Sequence, residues 1–402
     1  MKDIIYISNR MKKKAVEQHG LSIFKRKYLE PVINYHRSLE GYDETPLYDL
    51  HHLADYLGVG KITLKDESER FGLNAFKVLG ASYAIQRHMD ALAADPHASA
   101  RPEVGKHENL TFVSATDGNH GRGVAWAAQK LGARAVIYMP HGSTEYRADA
   151  IRSHGADCII TDLNYDDAVR YARREAEANG WFLVQDTALS GYTHIPEWIM
   201  QGYTTLAQEI IQRLNDKKCP PLTHVILQAG VGSFAGAVCG YLSELYGVNA
   251  PRFLIVEPHS ANCLYTSVKA DDGSPHNVGG TLETIMAGLA CGEPNSFSWP
   301  VLRDYADDFF SVSDSLAEKG MRILSSPLAT DPRVISGESG AAGAGLLNEL
   351  MINPAWRDIQ KAVGLGPDSH VLIISTEGDT SPDVYEQIVW KGSLETAGSR
   401  HA

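Results

Sequence analysis

Long apolar runs and clusters of basic residues are both scarce in this sequence. The most apolar stretch, residues 229–242, is too short and glycine-rich to span a bilayer, and the N-terminus lacks the apolar core of a signal peptide. We therefore predict a cytoplasmic chain without a membrane partner. The net charge is −12, and no long Lys/Arg run follows residues 12–14. Because phosphate neutralisation requires a basic surface, nucleic acid is not predicted as a partner.

Cysteines are few and scattered along the chain. The five of them form no CxxC pair and no spacing typical of metal ligands: Cys158, Cys219, Cys239, Cys263 and Cys291. This pattern predicts reduced thiols in the cytosol and no metal site. A bridge between Cys263 and Cys291 stays open, because their spacing neither favours nor excludes it.

Short apolar runs alternate with helical patterns over much of the chain. The runs are unbroken, as in strands that are covered on both faces. Strands are predicted at residues 111–114, 135–139, 157–160, 225–227, 253–256 and 371–374. Helices are predicted at residues 123–131, 146–153 and 196–214. The strand–helix–strand order predicts a doubly wound α/β fold.

The length of 402 residues permits two or three domains of ordinary size. Two breaks in the pattern, near residues 90–108 and 186–196, enclose a segment with its own strand–helix alternation. We predict a large domain formed by residues 1–88 and 190–402, with a smaller α/β domain, residues 89–189, inserted into it.

The first candidate motif, residues 74–81, places a lysine in an apolar setting. Lys77 lies between Phe76 and Val78, in a segment that we expect to be partly buried. Burial favours the neutral amine, which is the nucleophile that carbonyl chemistry requires. A surface lysine at the start of a helix is consistent with the same sequence, so this motif alone does not distinguish a functional lysine from an ordinary one.

The second motif, residues 114–126, leads from a predicted strand into a predicted helix. It gathers small polar residues and glycines into one turn: Ser114, Thr116, Asp117, Gly118, Asn119, His120 and Gly121. Unpaired N–H groups at a helix N-terminus bind anions such as carboxylates. Because an ordinary helix cap seldom uses so many of these residues, we favour a carboxylate-binding loop.

The third motif, residues 228–237, joins strand to helix through glycines, a geometry typical of phosphate binding. It also fits the dinucleotide pattern G-x-G-x-x-A through Gly230, Gly232 and Ala235. Glu257, at the end of the next predicted strand, lies about where a ribose-binding acid is expected. A nicotinamide-dependent oxidoreductase is therefore an alternative function.

The fourth motif, residues 375–380, follows the predicted strand 371–374. Open α/β sheets place their ligands at this carboxyl end of the strands. The letters Glu377-Gly378-Asp379 are also explained by a tight turn without any function.

In this order, the four motifs resemble those of the fold type II, or β-family, pyridoxal-phosphate (PLP) enzymes. These enzymes have a tryptophan synthase β-like fold and include the threonine and serine dehydratases. The resemblance extends from about residue 46 to residue 385, although Ala75 and residues 78–79 depart from the family's lysine motif S-F-K-x-R-G-A. It implies PLP as the cofactor and Lys77 as its anchor. The other implied cofactor contacts are Asn119, Gly230, Val231, Gly232, Ser233 and Ser375, with Thr376 as the alternative to Ser375.

Within that family, the motifs are most similar to those of the diaminopropionate ammonia-lyases. Asp117 stands where the dehydratases usually have a small residue, and Asp186 supplies a second acid. The resemblance implies that Lys77, Asp117 and Asp186 are catalytic in the elimination of D- and L-2,3-diaminopropionate to pyruvate and two ammonia, by a homodimer. The implied substrate contacts are Ser114, Thr116, Asp117, Gly118 and His120. A threonine or serine dehydratase, a β-replacing synthase and a non-catalytic binding protein are the remaining alternatives.

Overall fold

The structure is a computed structural model that describes residues 2–12, 21–94, 110–116, 118–187, 192 and 194–392. Its strands, in chain order, are β1 (Ile4–Ser8), β2 (Leu47–Asp49), β3 (Lys61–Asp66), β4 (Thr111–Ala115), β5 (Arg134–Met139), β6 (Asp157–Ile160), β7 (Phe182–Leu183), β8 (His224–Gln228), β9 (Arg252–Pro258), β10 (Asp308–Val312) and β11 (His370–Ser375). Its α-helices are α1 (Arg26–Ser38), α2 (His51–Leu57), α3 (Val78–Ala94), α4 (Asn119–Leu131), α5 (Glu145–Arg152), α6 (Tyr165–Asn179), α7 (His194–Asp216), α8 (Ser233–Tyr246), α9 (Cys263–Ala270), α10 (Trp299–Tyr305), α11 (Asp314–Ser325), α12 (Glu338–Ile352), α13 (Arg357–Val363) and α14 (Pro382–Lys391).

The larger of two sheets has the strand order β1-β10-β9-β8-β11-β3-β2. Its five inner strands are parallel, whereas β1 and β2 pair antiparallel at the two edges. The connections from β8 lead to β9 and β10 on one side, while β11 lies on its other side. This reversal of direction creates a crevice at the carboxyl ends of β8 and β11, where open α/β sheets bind ligands.

The smaller sheet is fully parallel and has the order β6-β5-β4-β7. From β4 the chain continues to β5 and β6 on one side and then to β7 on the other, so the carboxyl end of β4 is also a point where the direction reverses. The loop that leaves β4 leads directly into α4 at Asn119. The fold therefore presents the loop after β4 and the loops after β8 and β11 as candidate ligand-binding segments.

Helix α3 is held between α4 and α7 by close glycine contacts. A Cβ atom on Gly202 of α7 would lie 2.4 Å from the Leu79 carbonyl oxygen, and one on Gly123 of α4 would lie 2.9 Å from Val78 Cα. Such distances are too short for any side chain, so only glycine permits this approach. The start of α3, and with it Lys77, is consequently fixed in position.

The doubly wound α/β architecture expected from the sequence is confirmed. The six predicted strands and three predicted helices are all present, and their ends differ by at most four residues from those expected. Five strands were not predicted: β1, β2, β3, β7 and β10. The domain boundaries at residues 88/89 and 189/190 stay a prediction. In the described part of the chain, every helix is too short or too polar to cross a membrane.

Candidate active site

A pocket with about 560 Å³ of empty space lies at the carboxyl ends of β8 and β11. Side chains from distant parts of the chain line it, among them Lys77, Asn119, Asp186, Ser233 and Thr376. All four sequence motifs therefore contribute residues to one pocket, as expected at the carboxyl ends of parallel strands.

Lys77 and Asp186 form an ion pair in this pocket. The Lys77 ammonium lies 3.1 Å from Asp186 Oδ2, with side-chain exposures of 16% and 5%. Burial by itself would raise the pKa of Asp186. The charges of Lys77 and His120 and the hydrogen bonds from Lys77 and Tyr165 outweigh that cost and lower the pKa to about 2. The pocket therefore holds a buried carboxylate whose negative charge is favoured by the amine beside it.

The other oxygen of Asp186 is occupied by two neutral donors. Tyr165, the first residue of α6, donates its hydroxyl to Asp186 Oδ1 at 3.2 Å. Gln185 Nε2 lies 3.3 Å from the same oxygen and 3.1 Å from the Tyr165 hydroxyl. The sequence predicted Asp186 but neither of these neighbours, because Tyr165 reads as an ordinary apolar residue of an amphipathic helix.

The glycine turn between β8 and α8 is tightly packed. Gly232 has φ +98°, and a Cβ atom there would lie 2.9 Å from Ser298 Oγ. Ser233, the first residue of α8, donates its hydroxyl to the Asp186 carbonyl oxygen at 2.7 Å. The Asn295 side-chain amide donates to the same carbonyl oxygen and to the Ser233 hydroxyl oxygen. Gly230, Val231, Gly232 and Ser233 all line the pocket. A helix N-terminus with close-lying backbone amides is a site that phosphate groups favour.

Asn119 lines the pocket and is held by a residue that the sequence did not single out. Its side-chain amide donates to the Glu377 carboxylate. The other Glu377 oxygen accepts the backbone N–H of Ser339 at the start of α12, at 3.1 Å. Glu377 was explained from the sequence as part of a turn. Its carboxylate instead joins the loop after β11 to the N-termini of α4 and α12.

Ser375 and Thr376 point in different directions. The Ser375 hydroxyl donates to Ser336 at 2.8 Å, and Ser375 does not line the pocket. Thr376 lines the pocket and accepts a hydrogen bond from Gln228 Nε2 at 2.9 Å. The hydroxyl that the geometry brings to the pocket from this motif is therefore the alternative one, that of Thr376.

The predicted substrate-contact residues that the structure describes lie between the end of β4 and the first turn of α4, outside the pocket lining. Ser114 donates to Gln185 Oε1 at 3.1 Å, and His120 Nε2 lies 2.8 Å from the Val184 carbonyl oxygen. Thr116 Oγ1 accepts the backbone N–H groups of Gly118 and Gly121. None of Ser114, Thr116, Gly118 and His120 lines the pocket as the structure describes it. Asp117 lies outside the described residues.

The polar groups of the pocket fit PLP. Gln228 Oε1 and Ser339 Oγ are buried without a hydrogen-bond partner within the described ranges, and both residues line the pocket. A buried polar group without a partner is costly, so these atoms call for a polar ligand. An amine, a phosphate-binding turn and an amide lie around the same space. The described residues contain no cluster of His, Cys, Asp and Glu that would hold a metal.

Glu257 is not placed to bind a ribose. It is fully buried at the end of β9, where it accepts the backbone N–H groups of Leu264 and Tyr265 at 2.8 and 2.6 Å. Burial raises the pKa of this carboxyl to about 8. The acid that supported a nicotinamide-dependent enzyme therefore caps α9. All five cysteines are free thiols, including Cys263 and Cys291, whose pairing the sequence left open.

Comparison with known proteins identifies the family of the chain. The family model "Pyridoxal-phosphate dependent enzyme" matches residues 39–376. A diaminopropionate ammonia-lyase of Salmonella typhimurium is 54% identical over 397 residues, which cover 97% of this chain and 98% of that protein. One of Escherichia coli is 50% identical over 382 residues, 93% and 94% of the two chains.

A solved structure is similar as well. It is that of the Escherichia coli diaminopropionate ammonia-lyase in complex with an aminoacrylate–PLP azomethine reaction intermediate, with a TM-score of 0.88, 46% identity and 97% of each chain covered. The family match extends over more than half of the chain, and the two relatives span nearly all of it. The chain belongs to the family of pyridoxal-phosphate dependent enzymes.

Proposed function

We propose that this chain catalyses the PLP-dependent α,β-elimination of 2,3-diaminopropionate, in both D and L forms, to pyruvate and two ammonia. The observation that carries the proposal is the ion pair of Lys77 with the buried Asp186 carboxylate inside the pocket. Diaminopropionate ammonia-lyases that are 54% and 50% identical to nearly the whole chain support the same substrate.

Lys77 would hold PLP covalently through Nζ, because its amine is the one beside the glycine turn in the pocket. The backbone of residues 230–233 would bind the phosphate at the N-terminus of α8, and Asn119 would donate to the phenolic oxygen. Thr376 is the better candidate to face the pyridine nitrogen, since the Ser375 hydroxyl is engaged by Ser336. When bound, PLP supplies an electron sink for the negative charge left at the substrate's Cα.

Asp186 suits the β-substituent of this substrate. An alkylamine has a pKa of roughly 10, so the β-amine arrives as an ammonium ion. Once Lys77 is committed to the cofactor, the Asp186 oxygen that faced it is available to a second cation. Asp186 then attracts the β-ammonium and keeps its proton in place, which makes ammonia a better leaving group.

Proton removal from Cα requires a base on the side where the proton lies. We assign Lys77 to one face of the substrate and Asp117 to the other, so that both enantiomers react. Residues 114–120, which lead from the end of β4 into α4, would bind the substrate carboxylate at the N-terminus of α4, with Ser114, Thr116, Gly118 and His120 shaping that segment. Thr116 Oγ1 accepts the backbone N–H groups of Gly118 and Gly121, which supports a fixed start of α4.

A neutral leaving group fits the pocket less well. The hydroxyl of serine or threonine carries no charge, so it does not offset the desolvation of a buried carboxylate. A dehydratase would gain little from Asp186, whereas a diamine gains a charged hydrogen bond. The described pocket therefore favours diaminopropionate over serine and threonine.

We further propose that the chain acts as a cytoplasmic homodimer. Homodimers are the commonest assembly of soluble enzymes. Five free thiols are compatible with a reducing compartment. Light scattering coupled to size-exclusion chromatography would measure a mass near twice the chain's 43.9 kDa. A mass near that of one chain would contradict the dimer.

The test of the proposed reaction is a side-by-side assay of the purified chain with added PLP. Pyruvate and ammonia are measured from D- and L-diaminopropionate, and oxoacid from serine and threonine. We expect kcat/KM for diaminopropionate to exceed that for serine by ~10-fold or more, as a hydrogen bond to a charged group implies. Higher kcat/KM for serine or threonine would instead assign the chain to the dehydratases.

A further inference from the structure

Tyr165 is the residue outside the pocket lining that contacts the pocket's anion most directly. Its ring packs in the core of the smaller sheet with Val113, Ala115 and Val136, so the hydroxyl has little freedom to move. That hydroxyl donates to Asp186 Oδ1 at 3.2 Å. The ring is thus anchored in one sheet while its hydroxyl reaches the functional site.

Gln185 fixes the direction of the contact. Its Oε1 accepts the backbone N–H of Ala115 at 3.0 Å and the hydroxyl of Ser114 at 3.1 Å. Because the carbonyl oxygen is committed to these donors, the NH₂ group must face the other way, toward Tyr165 and Asp186. Gln185 Nε2 lies 3.1 Å from the Tyr165 hydroxyl and 3.3 Å from Asp186 Oδ1.

The two oxygens of Asp186 consequently have different environments. Oδ1 faces the neutral donors of Tyr165 and Gln185, while Oδ2 faces the Lys77 ammonium at 3.1 Å. The main chain of Asp186 is held as well, since its carbonyl oxygen accepts hydrogen bonds from Ser233 and Asn295. The carboxylate is therefore oriented at both ends, with one oxygen left for a cation.

We propose that Tyr165 is a positioning residue that sets the preference for a cationic β-substituent, by holding Asp186 with Oδ2 directed into the pocket. This inference rests on the proposed function, because it assumes that the β-ammonium takes the place of the Lys77 ammonium. The charged and titratable groups around Asp186 are Lys77, His120, Tyr165 and Tyr192. Of these, Tyr165 is the neutral donor whose removal leaves the charges unchanged.

The Tyr165 hydroxyl is expected to affect binding of a cationic β-substituent more than binding of a neutral one. An ammonium ion gains from a carboxylate oxygen at a fixed short distance, and this gain falls steeply as the geometry loosens. A serine hydroxyl makes a weaker bond that tolerates a rotated carboxylate. Loss of the Tyr165 hydroxyl is therefore expected to weaken the handling of diaminopropionate selectively.

The test compares Tyr165→Phe with Tyr171→Phe, a control on the same helix. Tyr171 makes an edge contact with Tyr138 and none with Asp186. For Y165F we expect KM for diaminopropionate to rise ~10-fold with kcat changed less than ~3-fold, as loss of a bond to a charged group predicts. Both constants for serine should change less than ~3-fold, and Y171F should match the unsubstituted chain for both substrates.

A binding measurement separates positioning from turnover. Calorimetry on the PLP-loaded Lys77→Ala background, with and without Tyr165→Phe, gives dissociation constants for diaminopropionate and serine. We expect Tyr165→Phe to raise the dissociation constant of diaminopropionate ~10-fold and to leave that of serine unchanged. Melting temperatures and PLP affinities of the single Tyr→Phe variants are measured in parallel to detect a merely structural effect.

The outcomes distinguish the two proposals. If the unsubstituted chain releases no pyruvate from diaminopropionate, the proposed function fails. A second outcome is that the unsubstituted chain is active while Y165F loses kcat/KM equally for diaminopropionate and serine, or for neither. Either result refutes the role of Tyr165 and leaves the proposed function standing. An unchanged dissociation constant for diaminopropionate when Tyr165→Phe is added to the Lys77→Ala background would also refute the positioning role.

Discussion

Lys77 Nζ lies 3.1 Å from Asp186 Oδ2, although the two residues are 109 positions apart in the chain. The start of α3 supplies the amine, and the segment after β7 supplies the carboxylate. Glycine contacts hold α3, while Ser233 and Asn295 hold the main chain of Asp186. The pair is therefore built by two sheets together and offers a cation site beside the predicted cofactor anchor.

Replacing Asp186 by Asn removes the charge and keeps the shape. We expect kcat/KM for diaminopropionate to fall ~10- to 100-fold, because a hydrogen bond to a charged group contributes about 1.5–3 kcal/mol. The fall for serine should be clearly smaller. Pyruvate release from both substrates is the measurement, and Asp157→Asn, at an exposed pair with Arg134, is the control. An equal loss on both substrates would contradict a role in binding the β-ammonium.

The pH dependence follows from the sign of the Asp186 shift. With the Lys77 ammonium beside it, its pKa, about 2, lies below the ordinary value of 3.8. The β-ammonium of the substrate would supply the same charge once Lys77 holds the cofactor, so the proton is bound only as the pH falls through that range. After correction for the titration of each free substrate's own amines, the ratio of kcat/KM for diaminopropionate to that for serine should therefore stay constant from about pH 7 down to about pH 5. A ratio that halves within this interval would mean that the carboxyl titrates there.

The two-face assignment of bases predicts a stereochemical difference. Asp117→Asn should slow one enantiomer of diaminopropionate by ~100-fold or more, the size expected for loss of a general base, and the other far less. Separate assays with D- and L-diaminopropionate measure this. Asp167→Asn, at an exposed pair with Arg170, serves as the control. Small and equal losses on both enantiomers would remove Asp117 from the base role.

The glycine turn makes a prediction about cofactor affinity. Gly232→Ala places a Cβ atom 2.9 Å from Ser298 Oγ and strains a backbone at φ +98°. We expect the dissociation constant of PLP to rise ~10-fold, because left-handed strain costs about 1–2 kcal/mol and crowding adds to it. Gly58→Ala, also at positive φ but in open space, is the matched control and should leave PLP affinity unchanged.

A buried charge network joins β3 to α7. Glu209 accepts from Lys65 at 2.6 Å and from Arg70 at 2.7 Å, and all three side chains are almost fully buried. Glu209→Ala leaves two buried cations without that partner, so we expect a loss of ~3–5 kcal/mol in urea unfolding. Glu44→Ala, which removes a partly exposed acid, should cost ~0–1 kcal/mol. Equal losses would contradict the network's importance.

The resemblance to the PLP enzymes implied that Lys77, Asn119 and the glycine turn share one site, and the structure places all three in one pocket at the carboxyl ends of parallel strands. Strands β3 and β10 escaped prediction for a physical reason. Lys65 of β3 and Asp308 of β10 are buried through partners elsewhere, Glu209 and Arg252. A search for unbroken apolar runs does not recognise strands that carry such paired charges.

Side-chain direction was harder to predict than element position. Neighbouring residues at a strand end point to opposite sides, so a shift of one position exchanges Ser375 for Thr376 in the pocket. Glu377 reads as a turn residue because its partner, Asn119, is 258 positions away. Tyr165 looks like a core residue in the sequence, because its ring does pack in the core and only its hydroxyl contacts Asp186.

The central claim is that Lys77 anchors PLP for turnover of diaminopropionate. The most direct measurement is the absorption spectrum of the PLP-loaded chain and of Lys77→Ala, followed by pyruvate release from diaminopropionate. Lys61→Ala, which alters a half-buried pair with Asp49, is the control. The account predicts a visible absorption band of protein-bound PLP, and pyruvate release, for the unsubstituted chain and the control. It predicts loss of both for Lys77→Ala. An unsubstituted chain that stays colourless with PLP, or a Lys77→Ala variant with full activity, would contradict it.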